Sequence, residues 1–363
     1  MPRKFFSKKS RLFYLVILAV SLSLEILFRT FPSFAEFYTV KVLPIVRVIY
    51  LPSKIFPFAL SESLFLIFAL LLLFLVGCLF ALPFKRSLLV QVKLISSLLL
   101  KTVAVLVFLF SLTFSSSYHR VSIADSLSLE RADVTEEELY SATEVALEKL
   151  WEVSRELEYA PESMSSSGMD FKTLSKEIKN EVNNACKRYP FLIKGYVEAK
   201  PFALSEPLTY TYIAGIYTYF TGEPCVNTNY AEYTLPYTIA HEYSHQCGIG
   251  AEDEADFTAF LILHDATLPY LKYSAWAEAF SVLSSKLYEV SPDRYKSLAR
   301  ALPSIAINDY TISSRAFQRY THSPANEIAS TVNDAYLKAN GVEEGVVSYS
   351  ESVILLISFI NSL

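Results

Sequence analysis

Hydrophobic positions along the chain follow two different patterns. Up to about residue 114 they come in nearly unbroken runs, and beyond it they recur every three or four positions. The runs cover residues 12–28, broken by Glu25, residues 64–82, and residues 88–114, which hold Lys93 and Lys101. About twenty apolar residues in helical form cross the ~30 Å hydrocarbon core of a bilayer, so three transmembrane helices are expected. Further on, "VTEEELYSATEVALEKLWEVSRELE" combines a Thr135/Glu138 capping box with apolar residues at helical spacing. A Ser-rich loop at residues 163–169 precedes a second helix starting after Asp170. Residues 192–227 are β-branched and aromatic, interrupted by Pro201, Pro207 and Pro224, and predict short strands. Several helices follow. The apolar stretch 352–360 is too short to span a bilayer and belongs in a core. The expected organisation is a membrane domain over residues 1–115 and a mostly helical extracytoplasmic domain over residues 116–363.

Composition strengthens the membrane reading. Hydrophobic residues make up 52% and charged residues 19% of the 363, and mean hydropathy is +0.31. The net charge of -5 gives no basis for nucleic-acid binding. Basic residues set the orientation: Arg3, Lys4, Lys8, Lys9 and Arg11, with Lys85 and Arg86, mark the cytoplasmic side. Everything after Ser115 is then extracytoplasmic, although Arg29, Lys41, Arg47 and Lys54 in the first outer loop run against that rule. The first run also reads as a signal peptide, with "SFA" at residues 33–35 as a cleavage site. Glu25 and Lys101 are read as aids to helix assembly rather than as a functional charge pair. The four cysteines, Cys78, Cys186, Cys225 and Cys247, contain no CxxC pair, so no zinc-ribbon pattern is present. Cys225 and Cys247 flank the region of interest; a disulfide between them requires an oxidising compartment and is the minority expectation.

That region is "TIAHEYSHQ". His241 and His245 stand four apart, on one face of a helix, so both imidazoles can point at one metal ion. Glu242, offset by one residue, can reach a water on that ion without being a ligand. Zinc lowers the pKa of its water toward ~7, and Glu242 would act as general base, passing the proton to the leaving amine. Two of the chain's five histidines lie in this motif, and no Lys or Arg occurs between His241 and Lys272. Both points favour a cation site.

A catalytic zinc has three protein ligands and an open position. Candidates for the third are Glu252, Asp253, Glu254, Asp256 and His264. Gly248 and Gly250 allow the chain to reverse, and a new helix is expected from about Ala251. On it Glu252 and Asp256 share a face, so Glu252 is assigned to the metal and Asp256 to orienting a histidine. Asp253 and Glu254 are left as helix-end charges and His264 as a structural histidine.

The ExxAD pattern after HExxH is similar to that of gluzincin metallopeptidases, a resemblance that implies Glu252 as third zinc ligand and Asp256 in the supporting position. The spacing between the two motifs is shorter here than in most gluzincins. The layout also resembles a bacterial family catalogued as a domain of unknown function, with three membrane spans and an extracytoplasmic HExxH domain. That likeness is sharpest in "GIYTYFTGEPCVNTN", "AHEYSHQCGIGAEDEADFTAFL" and "VNDAYLKANGVEEGVVSY". The expected fold is therefore mainly α with a small strand region, N-terminal transmembrane helices preceding a zincin-like, gluzincin-type domain. The strand-like "EPCVNTN" is read as an edge strand for an extended substrate, with Glu223 and Asn227 lining the cleft. His322, Tyr336 and Tyr349 are candidates for stabilising the oxyanion. The expected function is that of a membrane-anchored, Zn2+-dependent peptidase acting on a peptide or protein substrate. The alternative is a non-catalytic, zinc-containing binding or assembly module.

Overall fold

Three helices are long and apolar enough to cross a membrane: α1 (Lys8–Thr30), α2 (Leu60–Ala81) and α3 (Leu89–Thr113). They belong to a computed structural model that describes residues 8–129, 134–321, 323–340 and 349–362. Leu70, Leu73, Phe74 and Phe80 of α2 are each more than half exposed. So much bare apolar surface is compatible with lipid and not with water. α1 and α2 both pack along α3. Glu25 does not pair with Lys101. It meets Arg29, His119 and Ser115, while Lys101 lies 5.8 Å from the Tyr14 ring centre.

The stretch between α1 and α2 is folded, not a free loop. "SFA" lies inside a short helix, Pro32–Phe37, with Ala35 fully buried. Arg47 is 1% exposed and donates to Thr113 O at 3.0 and 3.1 Å and to Gln246 O at 2.6 Å. Arg29 likewise donates to Ala339 O at 2.5 Å. These two basic residues serve as buried or inter-element donors.

The remainder is mainly helical: α4 (Glu136–Ser154), α5 (Phe171–Arg188), α6 (Leu235–Gln246), α7 (Glu252–Leu263), α8 (Pro269–Val290), α9 (Pro292–Arg300), α10 (Ser304–Phe317), α11 (Pro324–Ala339) and α12 (Tyr349–Ile360). α4 begins with the expected capping box. It buries Leu139, Ala142, Ala146, Leu150 and Val153, one helical stripe, against α8. Asp170 caps α5 by accepting from Thr173 N at 2.7 Å. In α12, Leu355, Leu356, Ile357 and Ile360 are buried in the core beside α7, as the shortness of that apolar stretch requires. Asp309 pins the Ser-rich loop to the helices: it accepts from Ser165 N, Ser165 Oγ and Tyr273 Oη at 2.6–2.7 Å.

Three short strands, β1 (Lys200–Pro201), β2 (Gly215–Thr218) and β3 (Glu223–Val226), form a sheet in the order β1-β3-β2. β3 pairs parallel with β1 and antiparallel with β2. It is therefore the central strand, not the edge that the sequence suggested. Pro224 is tolerated there because β1 pairs only with Cys225 and Val226, leaving the proline a single neighbour. Cys225 is not beside Cys247: its thiol meets Ser61 Oγ at 3.3 Å, whereas Cys247 Sγ lies 3.9 Å from Cys186 Sγ.

Arg47→Ala is expected to cost about 2–4 kcal/mol, because it leaves two buried carbonyls without a donor. The exposed Lys54 is the control, and its alanine variant should stay within about 0.5 kcal/mol of wild type. Thermal unfolding of the detergent-solubilised chain measures both, and an Arg47→Ala chain that melts with the wild type would show that the clamp carries no stability.

Candidate metal centre

The HExxH helix is anchored along the face that its histidines do not use. Tyr243, fully buried, accepts from Ala199 N at 2.8 Å and meets Ser175 Oγ at 3.1 Å. Gln246 donates to Val197 O and Gly222 O at 3.0 and 2.9 Å. These contacts fix the rotation of α6 and turn His241 and His245 to the opposite side. α6 ends at Gly248, whose φ of +90° is open to glycine and costly for other residues. Gly250 N then donates to Ser117 O at 3.2 Å, and α7 starts at Glu252.

This reversal brings Glu252 Oε2 to 3.1 Å from His241 Nε2 and 3.5 Å from His245 Nε2. One ligand atom from each of the three residues lies within 4.8 Å of the others. The far nitrogens are already engaged: His241 Nδ1 is 2.7 Å from Asp256 Oδ1, and His245 Nδ1 is 2.9 Å from Ile249 O. With Nδ1–H donating in each ring, both Nε2 lone pairs face the Glu252 carboxylate. Three electron-pair donors converge, an arrangement that demands a proton or a cation between them. Two imidazoles and a carboxylate fit the donor preferences of zinc and its divalent neighbours.

The charges agree. Burial alone would lower the His241 pKa, but Asp256 and Glu252 outweigh it and hold the imidazole well above its usual range. His245 is raised too, Glu252 overcoming burial. Glu252 is lowered despite its burial, by the two imidazoles. The site stabilises positive charge.

Glu242 has different surroundings. It is 3% exposed, and its Oε2 has no hydrogen-bond partner. Gly215 makes room for it: a Cβ there would lie 2.3 Å from Glu242 Oε1. Burial pushes this carboxyl up to about 7; the imidazoles oppose the shift, and Glu252 and Asp256 add to it.

Other residues singled out from sequence fall elsewhere. Glu223 is fully buried, paired with Lys200 at 2.6 Å, and accepts from Leu60 N and Ser61 N, capping the second long helix. Asn227, 1% exposed, donates to Thr209 Oγ1 and Ile213 O and accepts from Asn229 N. Both side chains are engaged inside the protein, where they hold loops and helix ends. Glu254 is not a solvated helix-end charge: it is 8% exposed and accepts from Ile123 N at 2.8 Å. Asp253 is buried as well. His264 packs between Phe260 and Phe359, apart from the cluster. His322 and the side chain of Tyr349 lie outside the described residues.

Several residues at the centre lie outside any motif, and of these the sequence singled out only Tyr336, as an oxyanion candidate. Phe114 and Tyr217 place their rings 6.0 and 6.4 Å from that of His245. Tyr336 accepts from Tyr118 Oη at 3.1 Å and lies near enough to Glu252 to feel its charge. On α8, Glu278 is pushed up to about 7 by burial, with Asp256 adding to the shift. All five lie outside the motif in sequence.

The folded chain is expected to bind about one divalent cation, and Asp256→Asn to weaken that binding roughly 10–100-fold by loosening the His241 ring. Competition with a chromophoric chelator reads the affinity. Unchanged affinity in His241→Ala or His245→Ala would remove the cluster as the binding site.

No solved structure and no curated protein is significantly similar to this chain. Residues 38–357 match the model of a family described as protein of unknown function, DUF3810. That span takes in two of the long helices, the sheet and every residue of the His–His–Glu cluster, and the chain belongs to the DUF3810 family.

Proposed function

We propose that the chain is a membrane-anchored zinc peptidase whose general base is Glu242. One observation carries this reading: a buried carboxylate oxygen without a partner, one residue away from a converging His–His–Glu set. A purely structural metal site closes with four ligands and has no use for such a group. When bound, zinc supplies Lewis acidity, lowering the pKa of water toward ~7 and polarising a carbonyl. Glu242 Oε2 accepts the proton of the attacking water and returns it to the departing amine. Asp256 and the Ile249 carbonyl keep the imidazole protons on Nδ1, so that both Nε2 atoms stay available.

Substrate backbone adds to β2 rather than β3. Among the described residues β3 has neighbours on both sides, whereas β2 has one. β2 also starts at Gly215, directly against Glu242. Tyr336, hydrogen-bonded to Tyr118, supplies a phenol for the oxyanion. The domain lies outside the cytoplasm of a bacterial cell: Arg11, Lys85 and Arg86 mark one end of the long helices, and the catalytic part joins the other.

Glu242→Gln is expected to keep the metal and to lose hydrolysis by about 10²–10⁴-fold. Metal content and the cleavage of peptide libraries, both free and fused to a single-span anchor, give the two readouts. A metal-loaded wild type that cleaves neither library sinks the peptidase reading in favour of a binding or assembly module. Tyr336→Phe is expected to lower kcat by at least tenfold with KM nearly unchanged, because a group acting on the developing charge does not bind the ground state; an equal effect on KM would place it in substrate binding instead.

A further inference from the structure

We infer that the metal centre works at the bilayer surface, on polypeptide segments as they emerge from the membrane. The substrate class rests on the peptidase reading; the position of the centre rests on geometry alone. Phe114 is the first residue beyond α3, and its ring is 6.0 Å from that of His245. The turn joining the two ligand-bearing helices is bonded to Ser117, four residues past the end of α3. Arg47 holds the last residues of α3 and α6 together. At 1.5 Å per residue, a helix of 25 residues is ~37 Å long and overshoots a ~30 Å hydrocarbon core by only a few ångströms at each end. The His245 ring therefore sits on the order of 10 Å from hydrocarbon.

The walls of the centre are attached to the same membrane boundary. Phe110, in the last turn of α3, packs against Tyr219 and Tyr336, with ring centres 5.2 and 6.2 Å away. Phe65, near the start of α2, packs against Phe220 at 5.4 Å. The β2–β3 turn thus rests on two membrane helices, and Tyr336 on one. Between α1 and α2, Ile45, Ile49, Ile55 and Phe58 are 73%, 51%, 79% and 48% exposed, while Arg47 and Tyr50 of the same stretch face inward. This amphipathic segment meets the headgroup layer on its apolar side. A soluble chain approaching β2 has to descend to the bilayer surface, whereas a segment flanking a membrane span is already there.

The full-length protein, reconstituted in vesicles containing a lipid with a fluorescent headgroup, tests the position with Co2+ as the probe. Stoichiometric Co2+ binding is expected to quench the headgroup dye by at least twofold in the protein's vicinity. Chelation should reverse the quench, and a His241→Ala/His245→Ala chain should not show it. Full Co2+ binding without quenching overturns the inference. In a second arm, one cleavable sequence is placed about 5 or about 40 residues from a single-span anchor, or offered as a free peptide. The near reporter should be cleaved at least tenfold faster than the other two. Equal rates overturn the substrate class even where quenching occurs. Quenching without cleavage of any reporter supports the position of the centre and overturns the peptidase reading, and the substrate class with it.

Discussion

Among the contacts that join the long apolar helices to the rest of the molecule, one buried guanidinium bonds to both the third long helix and the HExxH helix. Arg47 sits between the carbonyl ends of α3 and α6, shielded from solvent and donating to both. Each of those ends carries the negative pole of a helix dipole, which offsets the cost of burying a positive charge where no carboxylate is bonded to it. The Tyr217 ring, 5.6 Å away, adds a favourable face. Because the HExxH helix terminates on this residue, the end of α6 is tied to α3 as well as to the rest of the domain. Arg120 repeats the device nearby, donating to Gly248 O and Phe191 O while paired with Glu36.

The second constraint is electrostatic. His241, His245 and Glu252 bring lone pairs together, and the hydrogen bonds on Nδ1 prevent either ring from turning away. Asp256 deepens the negative field from the flank. Glu242 packs against Gly215, and its Oε2 has no hydrogen-bond partner. The two glutamates therefore differ in their surroundings: Glu252 is lowered by the two imidazoles and Glu242 is raised by burial.

The parts of the site that were legible in the sequence are those separated by one or two helical turns. The i, i+4 spacing of His241 and His245, and that of Glu252 and Asp256, requires only a helix, and the Gly248 turn requires only a residue free to adopt positive φ. Glu223 and Asn227 escape such a reading for a complementary reason. Their local setting, a polar residue at each end of a short strand, looks the same whether the side chain meets a substrate or a backbone. Only the arrival of Leu60 and Ser61, more than 160 residues earlier, decides that Glu223 is a helix cap. Cys247 is a similar case, its neighbour being Cys186 rather than the equally plausible Cys225.

By itself the sequence determined the three long apolar helices, the helical character of the rest, the capping box of α4 and the HExxH–ExxAD pair, because each depends on local periodicity and hydrogen-bonding chemistry. Tertiary structure alone decided that β3 is central and that Gly215 leaves room for Glu242. It also decided that Phe114, Tyr217, Tyr118 and Tyr336 surround the centre, and that an arginine of the first loop fastens the motif to the third helix. Those contacts join residues tens to hundreds of positions apart. Burial and backbone satisfaction select them over the whole chain at once, and no window of neighbouring residues contains that information.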